Sequence, residues 1–312
     1  MKNKIIIAII LIIAGCFYYW QFANKVKPAE KPKNDVKVDV NKIGALSEDK
    51  KKTDSSFSAN TKKVKTTNNN LPVTNPVGNT FEKAKRKLEK VYSGDKNKME
   101  RVDIYCGCNY TRSKKTDASC AYKAQTKGKN RAASIEWEHV IPAENFGQGF
   151  KEWREGNKKL CGDKKGRECA KKNADFARME GDMYNLYPAI GEVNGLRSNF
   201  RYLALSKNDP NVTEIPNCQG VLINKKDRSF MPPAKSLGEL ARVYLYFDAV
   251  YKDYNLSAAQ KEMFTSWSNA NPISANECHR YFLIREEQKS DNPILAYECK
   301  KMLDEANAAA GK

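Results

Sequence analysis

Glu138 and His139 are the residues best suited to chemistry, because they place a carboxylate beside one of only two histidines in 312 residues. An imidazole accepts a proton near neutral pH, and a carboxylate is a hard oxygen ligand of the kind that Mg²⁺ prefers. The chain has a formal net charge of +18. The pair therefore predicts a metal-assisted attack on a polyanion, with nucleic acid as the first candidate substrate.

Hydrolysis of a phosphodiester needs an activated water, neutralisation of charge on the phosphoryl oxygens, and help for the departing 3′ oxygen. A histidine base, a divalent cation and an arginine clamp supply these functions in turn. Pro142 limits any helix at this point, so Glu138 and His139 are predicted to lie at the end of a strand. The simpler alternative is an ordinary Glu and His in a half-buried strand.

The N-terminus reads as a secretion signal over residues 1–20. Lys2 and Lys4 precede an apolar run over residues 5–20, which is typical of a basic region followed by a hydrophobic region. Residues 13–16 (IAGC) look like a bacterial lipobox, in which Cys16 becomes the lipid-bearing residue. Plain cleavage and an uncleaved anchor are the alternatives. We expect a location in the periplasm or at the cell surface with a lipid anchor, or otherwise secretion.

Residues 21–80 are predicted to be a disordered, Lys-rich linker. From residue 25 onward they contain twelve Lys, six Asp or Glu and one aromatic residue, Phe57. Such a segment buries too little apolar surface to offset its chain entropy. Lys2 and Lys4 contribute +2 and this linker +6, which leaves +10 on residues 81–312. That basicity fits a polyanion partner, and solubility in a Lys-rich proteome is the alternative.

Eight cysteines follow Cys16, and an even number behind a secretion signal predicts up to four disulfides whose pairing spacing alone does not settle. The competing interpretation is a zinc site, but the chain contains no CxxC motif. The eight are Cys106, Cys108, Cys120, Cys161, Cys169, Cys218, Cys278 and Cys299.

Hydrophobic periodicity predicts a mainly helical α+β domain with few, short strands. Helices are predicted over 81–92, over 237–251 and over 257–267, the last with Ser257 as its cap. Residues 102–105 alternate as a strand that leads into the Cys106–Cys108 turn. A nuclease domain is expected over residues 81–305, with a tail over 306–312.

Three blocks then resemble the endonuclease I family of bacterial periplasmic and secreted nucleases: residues 138–143 (EHVIPA), 179–186 (MEGDMYNL) and 191–199 (GEVNGLRSN). Further similarity lies in residues 105–108, 232–233, 241–246 and 277–278. The resemblance spans about residues 81–300. It consists of several ordered blocks, so it is more specific than any single motif.

The resemblance implies a ββα-metal (His-Me finger) active site on a mixed, largely helical scaffold that cuts DNA, and often RNA, with little sequence preference. On this chain His139 would be the general base. Glu138 and Asn194 would hold one Mg²⁺, with Mn²⁺ or Ca²⁺ as substitutes. Arg167 would steady the scissile phosphate, next to a disulfide at Cys169; its alternative is a solvated arginine in the Lys-rich stretch 158–172.

Glu180 and Asn185 would support the site from behind, although Asn185 could equally brace its own loop. Lys85, Arg86, Lys87, Arg197 and Arg201 are candidates to line a basic groove that attracts the nucleic-acid backbone. His279 is expected to be a packing or surface histidine. A monomer is expected.

Two positions depart from the family pattern. Tyr184 stands where relatives commonly have His, and Leu196 where they commonly have Asp. These departures are the only sequence support for a second hypothesis, a catalytically weak nucleic-acid-binding lipoprotein. A zinc-dependent fold with free thiols is the third.

Overall fold

The computed structural model describes residues 71–125 and 130–310, and within them helices and short strands alternate. The predicted signal segment, the lipidation position Cys16 and linker residues 21–70 lie outside the described residues. Three short 3₁₀ turns, Asn130–Ala133, Met183–Asn185 and Ala234–Ser236, precede β1, β2 and α8. The helices are α1 (Phe81–Val91), α2 (Ala143–Gly147), α3 (Lys151–Arg154), α4 (Lys158–Cys161), α5 (Gly166–Ala170), α6 (Ala174–Glu180), α7 (Gly191–Arg197), α8 (Leu237–Val250), α9 (Ala258–Ala270), α10 (Ala275–Gln288) and α11 (Ala296–Ala310).

The strands form two small sheets. In the first, β1 (Ile135–His139) pairs antiparallel with β2 (Leu186–Ile190), and His139 lies opposite Leu186. The second has the order β3-β6-β5-β4, where β3 is parallel to β6 and the other pairs are antiparallel. Its strands are β3 (Arg201–Tyr202), β4 (Val212–Glu214), β5 (Leu222–Asn224) and β6 (Ser229–Met231). The predicted mixture of helices with few, short strands is confirmed.

The β1–β2 pair is followed directly by α7, and this unit positions the site. All five residues of β2 are buried, as are His139 and the two residues that follow it. A strand buried on both faces is stabilised by apolar packing along its whole length. The first turn of α7 follows Ile190, which pairs with Ile135 at the start of β1. Arg197, in the last turn of α7, contacts Glu138 and His139 at the predicted strand end.

Residues 71–80, which composition assigned to the linker, pack onto the domain. Asn75 is fully buried, and its side chain donates to the backbone oxygens of Asn79 (3.0 Å) and Arg178 (2.8 Å). The phenol of Tyr246 donates to the carbonyl of Val73 at 2.9 Å. Val73 and Val77 are exposed, so polar contacts rather than apolar burial hold this segment on the domain. At the other end of the domain, α11 continues to Ala310, through much of the predicted tail.

The strand predicted over residues 102–105 is wrong. Only an isolated bridge joins Val102 to Asn109. The carboxylate of Asp103 instead accepts hydrogen bonds from the backbone N–H groups of Tyr105 (3.1 Å), Cys106 (3.2 Å) and Cys108 (2.8 Å). An Asp that captures local amides offers the backbone an alternative to a strand ladder, so the segment turns.

The predicted helices 81–92, 237–251 and 257–267 are confirmed as α1, α8 and α9. Ala84, Leu88 and Val91 are buried along one face of α1. Ser257 caps α9 in a capping box with Gln260, which satisfies two N–H groups that the first turn leaves without helical partners. Between α8 and α9 the rings of Tyr244 and Phe264 stack at 4.1 Å.

The eight cysteines form four disulfides, as the even number predicted: Cys106–Cys218, Cys108–Cys120, Cys161–Cys169 and Cys278–Cys299. The first joins residues 112 positions apart, so it attaches the loop before β1 to the second sheet. All eight sulfurs are thereby used, which rules out the zinc-thiolate alternative. Within the described residues, no helix combines the length and apolar character needed to cross a membrane.

Candidate active site

A cleft of about 560 Å³ opens beside the end of β1. Its walls come from the first turn of α1, from β1, from the start of α2 and from α7. Four residues selected from the sequence, Glu138, His139, Arg167 and Asn194, all line it. Residues up to 56 positions apart in the chain, from Glu138 to Asn194, therefore meet around one space. The other lining residues are Phe81, Lys85, Lys114, Ile135, Glu136, Trp137, Pro142, Ala143, Glu144, Trp153, Arg197, Ser198 and Asn199.

His139 is held in one tautomer. Its Nε2 lies 2.9 Å from the backbone oxygen of Glu180, and because a carbonyl oxygen can only accept, Nε2 must carry the hydrogen. The lone pair is then on Nδ1. Burial, together with the positive charges of Arg167 and Arg197, lowers the pKa of His139 to about 3. The imidazole is therefore neutral near pH 7 and can accept a proton.

Phe81 covers one side of the imidazole. The ring centroids of Phe81 and His139 are 4.7 Å apart, and the guanidinium carbon of Arg167 lies 5.4 Å from the Phe81 ring centroid. The ammonium of Lys85 approaches the same ring at 4.9 Å. The first turn of α1 thus supplies both an apolar cover for His139 and a cation at the cleft. This role of Phe81 was not predicted, because an aromatic at a helix start is indistinguishable from a core residue in the sequence.

Glu138 is buried, and one of its two oxygens is held by the protein. Tyr105 donates its phenol proton, and Arg197 donates from Nη1, to Oε1, each at 2.9 Å. Oε2 is the oxygen left to face the cleft. Burial raises the pKa of Glu138 to about 7, while the charge of Arg197 and the hydrogen bond from Tyr105 oppose that rise.

Arg197, considered as a groove residue in the sequence, is instead buried with 1% of its surface exposed. Besides Glu138, it donates to the backbone oxygens of His139 (2.7 Å) and Val140. Its guanidinium also lies 4.8 Å from the ring of Tyr202. A charged side chain is rarely buried unless it is paired, and here the pairing fixes both the metal-ligand candidate and the end of β1.

Glu180 connects two of the site residues. Its carboxylate accepts from Nε of Arg167 at 2.5 Å, and its backbone oxygen accepts from His139. Arg167 lies on the short helix α5, beside the Cys161–Cys169 disulfide, with 40% of its side chain exposed. The Nε edge of the guanidinium is therefore anchored by Glu180, while its remaining N–H groups stay accessible from the cleft.

Asn185 braces the turn after His139. Its side chain accepts from the N–H of Ile141 at 2.7 Å and donates to the carbonyl of Ile141 at 3.1 Å. Its backbone oxygen accepts from the N–H of Val140. Of the two roles considered for Asn185 from the sequence, the contacts are those of loop bracing.

The cleft offers two oxygen atoms suited to a hard cation. Asn194 lies on α7, and its Nδ2 donates to Oε2 of Glu136 at 3.0 Å, so Oδ1 faces away from that carboxylate. Oδ1 of Asn194 and Oε2 of Glu138 are ligands of the type that Mg²⁺ takes, and Mg²⁺ keeps several waters when proteins bind it. Among residues 71–125 and 130–310, no three His, Cys, Asp or Glu side chains group closely enough to hold a metal ion. The donor set fits a cation bound through few protein ligands.

The two departures from the family pattern lie away from the cleft. Tyr184 is 1% exposed, and it packs against Tyr246 and Tyr281. Leu196 packs partly buried against the hydrophobic core. Neither residue lines the cleft, so the support that they lend to a catalytically weak protein is removed. His279 hydrogen-bonds the backbone oxygen of Asn97 at 3.2 Å, also outside the cleft.

Comparison with known families agrees with this arrangement. The Endonuclease I family model matches residues 56–298, which includes every residue of the cleft. The chain belongs to the Endonuclease I family. As a member of that family, the protein is an endonuclease.

Similar proteins of the Endonuclease I type are named for nuclease activity. A periplasmic deoxyribonuclease of Aeromonas hydrophila is 39% identical over 225 residues, covering 70% of this chain and 86% of that protein. An extracellular deoxyribonuclease of the same organism is 39% identical over 225 residues, with 70% and 89% covered. Endonuclease-1 of Buchnera aphidicola subsp. Acyrthosiphon pisum is 37% identical over 204 residues, with 64% and 75% covered. These names agree with a nuclease that acts outside the cytoplasm.

Proposed function

We propose that the protein is a Mg²⁺-dependent, sequence-nonspecific endonuclease that hydrolyses phosphodiester bonds of DNA, and of RNA by the same chemistry, with His139 as general base. The observation that supports this most strongly is the fixed tautomer of His139. Its Nε2–H is bound to the carbonyl of Glu180, which leaves Nδ1 as the proton acceptor in a cleft that Glu138, Asn194 and Arg167 also line. The β1–β2–α7 unit would be the ββα-metal motif of the family.

His139 and Arg167 have separate roles in the proposed reaction. Nδ1 of His139 takes the proton from the attacking water, and Nε2–H stays bound to Glu180, which stabilises the imidazolium as it forms. Arg167 donates hydrogen bonds to the non-bridging phosphate oxygens, where negative charge increases in the transition state. Its salt bridge to Glu180 holds it in place for that contact.

Glu138 and Asn194 would hold the cation. Mg²⁺, when bound, supplies positive charge to the phosphoryl oxygen and to the departing 3′ oxygen. Arg197 and Tyr105 hold Glu138 so that its second oxygen stays at the cleft. Mn²⁺ and Ca²⁺, which also accept oxygen ligands, are proposed substitutes at the same position.

Location and assembly follow from the N-terminal segment and are part of the proposal. The relatives named periplasmic and extracellular support activity outside the cytoplasm. Residues 1–20 would direct export, Cys16 would carry the lipid, and the basic segment that follows would link a monomeric domain to the membrane.

A plasmid-degradation assay on the full chain tests the proposal. Wild type is expected to nick and linearise supercoiled DNA in Mg²⁺ and to be inactive in EDTA, and His139→Ala is expected to lose activity by at least about 100-fold. His279→Ala is the matched control, because it removes the only other histidine of the chain, outside the cleft. Full activity of His139→Ala, or activity of wild type in EDTA, would overturn the proposed mechanism.

A further inference from the structure

Glu136 lies two residues before Glu138 on β1, so both carboxylates project from the same face of the strand. The side chain of Glu136 is 36% exposed and receives a two-pronged contact from Arg131. Nε of Arg131 donates to Oε1 at 2.8 Å and Nη2 donates to Oε2 at 2.6 Å. An exposed pair of this kind contributes at most about 1 kcal/mol to stability, so stability alone is a weak reason for its geometry.

The pair also determines which way the amide of Asn194 faces. Nδ2 of Asn194 donates to Oε2 of Glu136 at 3.0 Å. A carboxylate can only accept, so the NH₂ group of Asn194 must face Glu136, and the amide oxygen must face the opposite way. This contact is the side-chain hydrogen bond of Asn194 among the described residues. A flipped amide would present its NH₂ group to the cleft, where it cannot bind a cation.

The helix that carries Asn194 is built around this pair. A Cβ on Gly191 would lie 2.6 Å from Oε1 of Glu136, and a Cβ on Gly195 would lie 2.5 Å from Nη1 of Arg131. The two glycines are one turn apart in α7. Glycine at these two positions leaves room for the Arg131–Glu136 pair to pack directly against α7.

We propose that Glu136, held by Arg131, is a positioning residue that orients the Asn194 amide so that its oxygen is presented to the cation. This inference rests on the proposed role of Asn194 as a cation ligand. Groups that hold metal ligands in this way typically change metal affinity by about 10–100-fold when they are removed.

Glu136→Leu is the decisive variant, because it removes the carboxylate that accepts from Nδ2 of Asn194. Glu136→Gln would be less informative, since its amide oxygen at the Oε2 position could still accept from both Nη2 of Arg131 and Nδ2 of Asn194. Without the carboxylate, the oxygen of Asn194 is no longer held toward the cation. The dissociation constant for Mn²⁺ is expected to rise by about 10–100-fold, measured on the full chain without DNA from the electron paramagnetic resonance signal of free Mn²⁺.

The double variant Glu136→Leu with Asn194→Asp separates orientation from structure. A carboxylate at position 194 presents an oxygen to the cation whichever way it turns. Mn²⁺ binding is expected to return to within about threefold of wild type. Glu214→Gln, which alters a surface pair with Lys207, is the control and should bind Mn²⁺ as wild type does. All four proteins should melt within about 2 °C of one another in EDTA, since the pair is exposed.

The outcomes distinguish this inference from the proposed function. Wild-type Mn²⁺ affinity in Glu136→Leu, together with lost affinity in Glu138→Gln, overturns the positioning role and leaves the proposed function standing. A lower melting temperature in Glu136→Leu without rescue in the double variant also overturns it, because the effect is then structural. If wild type binds no Mn²⁺ and cuts DNA in EDTA, the proposed function fails and the inference fails with it.

Discussion

The described part of the chain contains two buried Arg–Glu pairs with different geometry, one at the cleft and one among the C-terminal helices. Arg242 binds Glu277 with two parallel contacts, Nε to Oε1 at 2.7 Å and Nη2 to Oε2 at 2.5 Å. Both carboxylate oxygens are therefore used. At the cleft, Arg197 reaches only Oε1 of Glu138. Its Nη1 and Nη2 also bind the backbone oxygens of His139 and Val140, and Nη2 lies 3.4 Å from the Tyr244 hydroxyl.

The difference shows how one pair of residue types serves two purposes. Arg242 also donates to the carbonyls of Ser268 (3.3 Å) and Asn271 (2.8 Å), so the pair joins α8, α9 and α10 as a closed structural contact. The Arg197–Glu138 pair is left open on one side. A buried carboxylate with one uncommitted oxygen suits cation binding, whereas one with both oxygens paired does not.

The largest effect is expected from breaking the Arg242–Glu277 pair, in which both carboxylate oxygens are bound. Arg242→Met leaves Glu277 buried without a partner, which should lower the free energy of unfolding by about 3–5 kcal/mol. Urea denaturation followed by circular dichroism measures this loss. Lys261→Met is the control, because Lys261 is an exposed cation whose pair with Asp248 joins α8 to α9, and its loss should cost at most about 1 kcal/mol. Equal costs for the two variants would contradict the structural role.

Substitution in the Arg197–Glu138 pair, which leaves one carboxylate oxygen unbound, should instead lower activity. Glu138→Gln should lower the rate of plasmid cleavage by at least about 100-fold, because the charged cation ligand is lost. Glu277→Gln makes the same chemical change beside a buried guanidinium and should keep the wild-type rate at 15 °C, where both variants are checked to be folded. An equal loss of cleavage rate in Glu277→Gln would contradict the proposed difference between the Glu138 and Glu277 pairs.

A pH dependence of stability should come from Glu239, which lies in α8 and accepts a hydrogen bond from Tyr187 of β2 at 2.9 Å. Burial and the charge of Glu277 raise the pKa of Glu239 from 4.5 to about 7. A raised carboxyl pKa means that the native state holds the proton more tightly. Its stabilising effect is complete below pH 4.5 and is lost as the pH rises through 7.

Glu239→Gln should therefore be more stable than wild type at pH 8 by about 1–2 kcal/mol, a value reduced for the partial exposure of the side chain. The advantage should disappear at pH 4.5. Thermal unfolding at both pH values measures it. Glu82→Gln is the control, because the hydrogen bond from Lys85 lowers the pKa of Glu82, so this variant should gain nothing at pH 8. A pH-independent difference for Glu239→Gln would refute the assignment.

The smallest expected effect comes from weakening the contacts that hold Glu138 beside Arg197. Tyr105→Phe removes one of the two donors to Oε1 of Glu138, and the loss of about 1 kcal/mol should slow cleavage roughly fivefold. Steady-state rates against Mg²⁺ concentration measure it. Tyr281→Phe removes a comparable phenol contact to Asp291 in the helical region and should leave the rate unchanged. A rate above half of wild type for Tyr105→Phe would show that Arg197 alone holds Glu138.

Local patterns in the sequence predicted the elements whose signals are local. The period of α1 and the Ser257 cap of α9 could be read directly, and the number of disulfides followed from the number of cysteines. The strand over residues 102–105 was mispredicted because Asp103 binds three backbone N–H groups of the following turn. Residues 71–80 were assigned to the linker because their packing depends on distant partners such as Tyr246 and Arg178.

For the site, ordered family blocks identified Glu138, His139, Arg167 and Asn194, all of which line one cleft. Arg197 was placed on a groove because a basic residue in a basic chain is expected at the surface. Its burial depends on Glu138, 59 positions away. The contribution of Phe81 could not be predicted from the sequence either, because it depends on the position of His139 relative to α1.

The sequence by itself determined the family, the set of reactive side chains, the cysteines available for disulfides and the helices with strong periodicity. The tertiary structure alone decided which nitrogen of His139 carries the hydrogen, which oxygen of Glu138 is free and which way Asn194 faces. The physical reason is that a residue type fixes which atoms can donate or accept. The direction in which those atoms point is set only by partners that folding brings close, such as Glu180, which is 41 positions from His139.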